Sequence, residues 1–222
     1  MKRLILATFI LTAAAVGCTS NETKKMEGSG TDSTANSSTT AATDNSTPPP
    51  VLDSATMMKN WMAYSTPGDM HKMMSSWDGT WNCDITTWHA PGAPPEMTKG
   101  KAVNKSILGG RYQESVHTGN MMGMSFEGRS TMAYDNNKKK FISTWIDNVG
   151  TGLMMLEGTW DAASKTLTQA GSCVDPSSGT DRLMSVRQVL KVVDDKNHVF
   201  EMYGPAPDGK EYKMMEIKMM KM

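Results

Sequence analysis

From Thr80 to the C-terminus, apolar and polar residues alternate with period two, and turn-forming residues interrupt the alternation about every 8–15 residues. Period two sends successive side chains to opposite faces of an extended strand, so this stretch predicts an all-β domain. The interruptions include Pro91-Gly92, Gly109-Gly110, Gly119-Asn120, Asp135-Asn136-Asn137, Asp194-Asp195-Lys196-Asn197 and Pro207-Asp208-Gly209. They separate ten strands near 80–89, 97–108, 110–118, 123–134, 139–147, 152–160, 165–174, 182–193, 197–204 and 210–221. Loops this short join antiparallel neighbours. Ten antiparallel strands in one twisted sheet curl until their edges meet, which also removes the exposed edges. The expected fold is a closed antiparallel meander barrel of about ten strands over residues 79–222. No helical period falls between the strands, which excludes a doubly wound α/β sheet.

Residues 53–78 read as one or two short helices. Asp53 or Ser54 can cap a first helix with the apolar stripe Met57, Met58, Trp61 and Met62. Thr66 is expected as the N-cap of a second, with Pro67 at its first position and Asp69 at its third. Met70, Met73, Met74 and Trp77 then share one face. This pair could plug one end of the barrel.

The chain before residue 53 reads as delivery equipment. Met1, Lys2 and Arg3 open it, an apolar run fills residues 4–16, and Ala15-Val16-Gly17-Cys18 follows. That order is a signal peptide over residues 1–17, too short to span a bilayer. The last four residues resemble the bacterial lipobox, with Ala15 where leucine is commonest, which implies lipidation of Cys18 and a membrane as partner. Thr19, rather than aspartate, follows the cysteine; by the same resemblance this points to the outer membrane and the periplasm. Residues 18–52 are rich in Ser, Thr, Asn and Asp, contain no aromatic residue and reach Pro48-Pro49-Pro50. Such a composition buries too little apolar surface to offset chain entropy, so it reads as a disordered tether.

With Cys18 lipidated, Cys83 and Cys173 are left as a disulfide candidate in an oxidising compartment. Buried free thiols are the equal alternative. The formal charge of the whole chain is zero, which gives no basic footprint for nucleic acid.

Gly79-Thr80-Trp81, Gly109-Gly110-Arg111, Phe126-Glu127-Gly128, Tyr134-Asp135-Asn136, Trp145-Ile146-Asp147, Leu156-Glu157-Gly158-Thr159, Asp175-Pro176 and the run from His198 to Tyr203 resemble, in order, the bacterial domain of unknown function 1579. The resemblance covers about residues 70–220 and implies a barrel similar to the calycins, the lipocalin and fatty-acid-binding class. It implies no activity. The two internal cysteines and the density of methionine depart from it.

Several charged and aromatic residues sit where a barrel lumen could collect them: Glu127, Trp145, Asp147, Glu157, Arg187, Glu201, Tyr203 and Glu216. Binding pockets need a few placed polar groups among apolar walls, and buried charges need partners, so Glu/Arg pairs across strands are expected inside. A solvated outer face explains each residue singly. No Gly-x-Ser-x-Gly elbow, zinc spacing or phosphate-cradling glycine loop is present, so no catalytic residue, metal ligand or cofactor is assigned. The 22 methionines raise Cu(I) handling through Met70 to Met74, Met121 to Met124 or Met214 to Met222. A chain with 4 phenylalanines that fills its core with methionine explains the same clusters. The favoured expectation is an envelope lipoprotein whose barrel binds a small, partly apolar ligand, with a packed structural barrel and Cu(I) handling as alternatives.

Overall fold

The computed structural model describes residues 51–222. The expected signal segment, Cys18 and all but the last two residues of the expected tether lie outside them. Two helices, α1 (Ser54–Ser65) and α2 (Asp69–Ser76), precede ten strands. These are β1 (Gly79–Thr87), β2 (Glu96–Ile107), β3 (Tyr112–Met121), β4 (Met124–Asp135), β5 (Lys140–Asp147), β6 (Met154–Asp161), β7 (Thr166–Val174), β8 (Leu183–Val192), β9 (Asn197–Pro205) and β10 (Glu211–Lys221), with a 3-10 turn at Pro176–Ser178. Each strand pairs antiparallel with its neighbours in sequence, and β10 closes on β1 from Trp81↔Lys221 to Thr87↔Met215. The fold is the expected closed ten-stranded meander.

Strand ends move where turn chemistry overrides the first reading. Gly119 and Asn120 continue β3 instead of ending it, and the reversal falls at Met122-Gly123, between the paired residues Met121 and Met124. Both turn residues have positive φ, 52° and 81°, as a two-residue hairpin matched to strand twist requires. The second helix also starts later than its sequence suggests. Its N-cap is Gly68, whose N–H donates to His71 Nδ1 at 3.0 Å. Thr66 instead closes α1, its hydroxyl donating to the Met62 carbonyl at 2.6 Å.

Only α2 acts as a plug. Met74 and Trp77 are buried against Phe141 and Leu167, with Met70 and Met73 packed around them. Met74 is core and Met70 and Met73 pack on it, which accounts for the methionines of α2. Beside them, Trp81, Cys83, Ala102 and Met219 form a second cluster of buried residues near the β1–β10 seam. By contrast α1 buries none of its residues, and Trp61 in its apolar stripe is 64% exposed. Its C-terminus is held by Asn136 in the β4–β5 turn, whose side-chain amide donates to the carbonyls of Ala63, Tyr64 and Thr66 at 3.3, 3.0 and 2.9 Å. None of the described helices is long and apolar enough to cross a membrane.

Cys83 and Cys173 are both free thiols. They stand on β1 and β7, four strands apart around the barrel by the shorter way. Closure of the sheet holds those strands on different sides of the lumen, so no disulfide joins them. Burial pushes the Cys83 thiol up to about 11.

Candidate functional site

Above the α2 plug the barrel is hollow. A cavity of about 350 Å³ runs through the lumen, within the size range of small-molecule sites. A second chamber of about 170 Å³ adjoins it toward β1, β2 and β3, sharing His117, Phe126 and Trp145 as a common wall. The apolar lining comes from aromatic, aliphatic and thioether side chains, including Phe126, Trp145, Leu156, Met202, Met215 and Ile217.

The upper wall is built around Trp145. Alternation along β5 turns Phe141, Ser143, Trp145 and Asp147 inward together. The indole lies across Gly128 on β4, where a Cβ would stand 2.3 Å from its Cζ2. Only glycine leaves room for this ring. Phe126 stacks beside the indole with centroids 6.4 Å apart, and His117 meets it edge-on at 5.2 Å. The indole Nε1–H donates to Asp147 Oδ2 at 2.8 Å. Oδ1 of the same carboxylate accepts the N–H groups of Val149 and Gly150, each at 3.0 Å, which ties the ring to the β5–β6 loop.

A chain of polar contacts runs from this wall down to the plug. His117 Nε2 lies 2.8 Å from Ser115 Oγ, Ser115 donates to Asn104 Oδ1 at 2.6 Å, and Asn104 Nδ2 donates to the Trp77 carbonyl at 3.2 Å. Because the Ser115 proton is committed to Asn104, the histidine acts as donor from Nε2 in this chain. Burial pushes His117 down to about 4, so the imidazole is neutral at neutral pH. At the plug, His198 stacks on Trp81 at 4.4 Å. It too is driven down to about 4, first by burial and then by Lys221. On the opposite wall, Ser143 Oγ donates to Gln169 Oε1 at 3.0 Å. Gln169 is only 4% exposed, and its Nε2 has no partner.

Two of the eight residues expected in the lumen, Trp145 and Asp147, are there. The other six stand on the outer wall, where strand parity places them in water. Glu127 pairs with Arg129 at 2.9 Å, and Glu157 with Lys138 and Lys140 at 3.7 and 3.3 Å. Arg187 stacks on Tyr203 with its guanidinium carbon 3.9 Å from the ring centre and pairs with Glu211 at 2.6 Å. Glu201 accepts from Tyr203 at 2.9 Å and from Lys213 at 2.8 Å, and Lys213 also reaches Glu216. One Glu/Arg pair joins different strands, Arg187 on β8 with Glu211 on β10, and it lies outside the lumen. Desolvation explains the inversion: an ion pair in water avoids the penalty that a lumen would impose. Within the large cavity, Asp147 is the sole acidic residue and no Lys or Arg contributes to the lining.

Sequence reasoning did not select His117, Ser115, Asn104 or Gln169. The signal available was parity: Gln113, Ser115 and His117 recur every second residue of β3, as Ser143, Trp145 and Asp147 do on β5.

A closed ten-stranded antiparallel barrel, plugged by a helix at one end and hollow above it, defines the class. The chain belongs to the family described as proteins of unknown function, DUF1579, whose model matches residues 66–221. None of the curated proteins compared with it matches. Among solved structures it is similar to Rv2717c from M. tuberculosis, with TM-score 0.52 at 8% identity, over 71% of this chain and 99% of that one. At such identity the likeness shows the fold alone. A redesigned β-barrel is a fainter match, TM-score 0.37 at 14% identity, over 70% of this chain and 99% of that one.

Proposed function

We propose that this protein is a binding module that holds a small, partly apolar molecule inside its barrel, at the cell envelope. One observation carries the reading: the cavity of about 350 Å³ between the α2 plug and the Trp145 wall, apolar over most of its lining. A scaffold barrel would fill that space with side chains, because protein interiors are close-packed and voids forfeit dispersion contacts. Fixed polar groups among apolar walls, such as the Trp145–Asp147 pair, are what a pocket uses to orient its occupant. The test is titration of the purified chain with Nile red, a neutral dye that brightens in apolar surroundings. Saturable brightening with a rise in melting temperature is expected; a flat titration, with no small molecule co-purifying, would remove the reading.

The place of action is proposed from the N-terminus. The Ala15-Val16-Gly17-Cys18 sequence supports lipidation of Cys18 and an outer-membrane anchor facing the periplasm, with residues 18–52 as spacer. A Cys18→Ala variant is expected to leave the membrane fraction, and retention there would contradict the anchor.

A further inference from the structure

The lumen also carries information about the chemical class of its occupant, an inference that rests on the binding reading above. Its deep polar group is the Gln169 amide. This side chain is 4% exposed, lines the cavity, and spends Oε1 on the Ser143 hydroxyl at 3.0 Å. Its Nε2 is the one buried side-chain nitrogen or oxygen without a partner among the described residues. An unmet buried donor costs about as much as a lost hydrogen bond, so such groups in folded proteins mark a missing acceptor. The neighbouring amides do not supply it. Gln188, the cross-strand neighbour on β8, makes no bond to it, and Gln113 on β3 donates from its own Nε2 to the Met74 carbonyl at 2.6 Å and Asp78 Oδ1 at 2.8 Å without bonding to Gln169.

The second observation concerns charge. The large cavity has no cationic lining residue, its two histidines are neutral at neutral pH, and its one carboxylate, Asp147, disfavours a second anion. Basic side chains border only the outer chamber, where Lys99 is exposed and faces Asp84 at 3.7 Å. A carboxylate or phosphate carried down to Gln169 would therefore be a buried anion without a counter-charge, which is strongly unfavourable. An uncharged acceptor there needs only the one donor that is waiting.

We infer that the barrel takes a neutral ligand whose apolar body lies against the methionine and aromatic walls and whose hydrogen-bond acceptor, an ester or ketone oxygen, receives the Gln169 Nε2–H. Anionic lipids such as free fatty acids are selected against.

The experiment displaces Nile red from the full chain with three competitors of equal medium chain length, at about pH 8 where a carboxylic acid is ionised. These are a methyl ester, the parent alkane and the carboxylate. The ester is expected to bind about 3- to 10-fold tighter than the alkane, the effect of one neutral hydrogen bond. The carboxylate is expected to bind at least about 10-fold more weakly than the ester. In Gln169→Leu the ratio of ester to alkane affinity is expected to fall to about one. Equal affinity for ester and alkane in the wild type means that a water, not a ligand, partners Nε2, and overturns the inference. So does a carboxylate that matches the ester. Both results leave the binding reading standing, because the dye is still displaced. A dye that never enters removes the binding reading and this one together. The wild-type comparison needs no variant, so it decides even if Gln169→Leu fails to fold.

Discussion

The two ends of the barrel solve opposite problems with similar residues. At the plug end, Met74 and Trp77 are buried against Phe141 and Leu167, beside the buried Trp81. At the other end, methionines and aromatics border open space: Met121 and Phe126 line the cavity, and Met122 at the tip of the β3–β4 turn is 74% exposed. Apolar content does not distinguish the ends; what differs is whether a helix arrives to cover it. The five loops at the open end join β1–β2, β3–β4, β5–β6, β7–β8 and β9–β10, and none contains an α-helix. A barrel can thus be half core and half vessel on one alternating pattern.

This contrast can be broken most severely at the plug. Trp77→Ala removes the buried ring that joins α2 to β6 and β9 and is expected to cost about 3–5 kcal/mol in urea unfolding. A cavity of about 350 Å³ already exists above it, so a loss under about 1 kcal/mol would mean that the plug end is no more packed than the open one.

The next effect is pH-dependent and involves one histidine at each end. His117 and His198 are both held near 4 in the folded chain against 6.5 unfolded. Above 6.5 both states are neutral and contribute nothing. As pH falls from about 6.5 toward 4, the unfolded chain takes up protons that the folded chain refuses, so stability falls, on the order of 2–4 kcal/mol per histidine in full. Melting curves should decline through pH 6–5, above the carboxylate range, and His198→Gln should flatten that decline. Ligand in the lumen should shift the NMR titrations of His117 and His198, since both line the cavity.

Gly128→Ala sharpens the comparison at the open end. The new methyl meets the Trp145 indole at 2.3 Å and must displace it. Overpacking of this kind costs about 1–3 kcal/mol, and here it should also weaken dye binding. The outer ion pairs bound the scale from below. Glu211→Gln removes the half-exposed partner of Arg187 and is expected to change stability by less than about 1 kcal/mol, without affecting dye binding.

Much of the fold was legible because it rests on local rules. Period two and turn residues define ten strands to within a few positions, and short loops leave an antiparallel meander as the simple arrangement. The misreadings are local competitions. Thr66 has the chemistry of an N-cap, but its hydroxyl finds the Met62 carbonyl behind it and closes α1. Gly119 looks like a turn, yet it continues in register opposite Phe126, and Met122-Gly123 reverses the chain. The site was legible only in part, because period two sorts residues into two faces without saying which is inside. Trp145 and Asp147 share their face with Phe141 and Ser143, and that face is the lumen. Glu127 shares its face with Arg129, and that one is solvent.

By itself, then, the sequence determined the strands, their antiparallel order and the sets of residues that must point the same way, because strand geometry and turn conformations are fixed by neighbours in the chain. Tertiary structure alone decided which set faces inward, that α2 plugs the barrel while α1 does not, that Cys83 and Cys173 stand apart, and that Gln169 keeps an unmet donor. Those outcomes depend on desolvation and on space across the barrel, between residues far apart in sequence, and alternation along one strand carries no record of either.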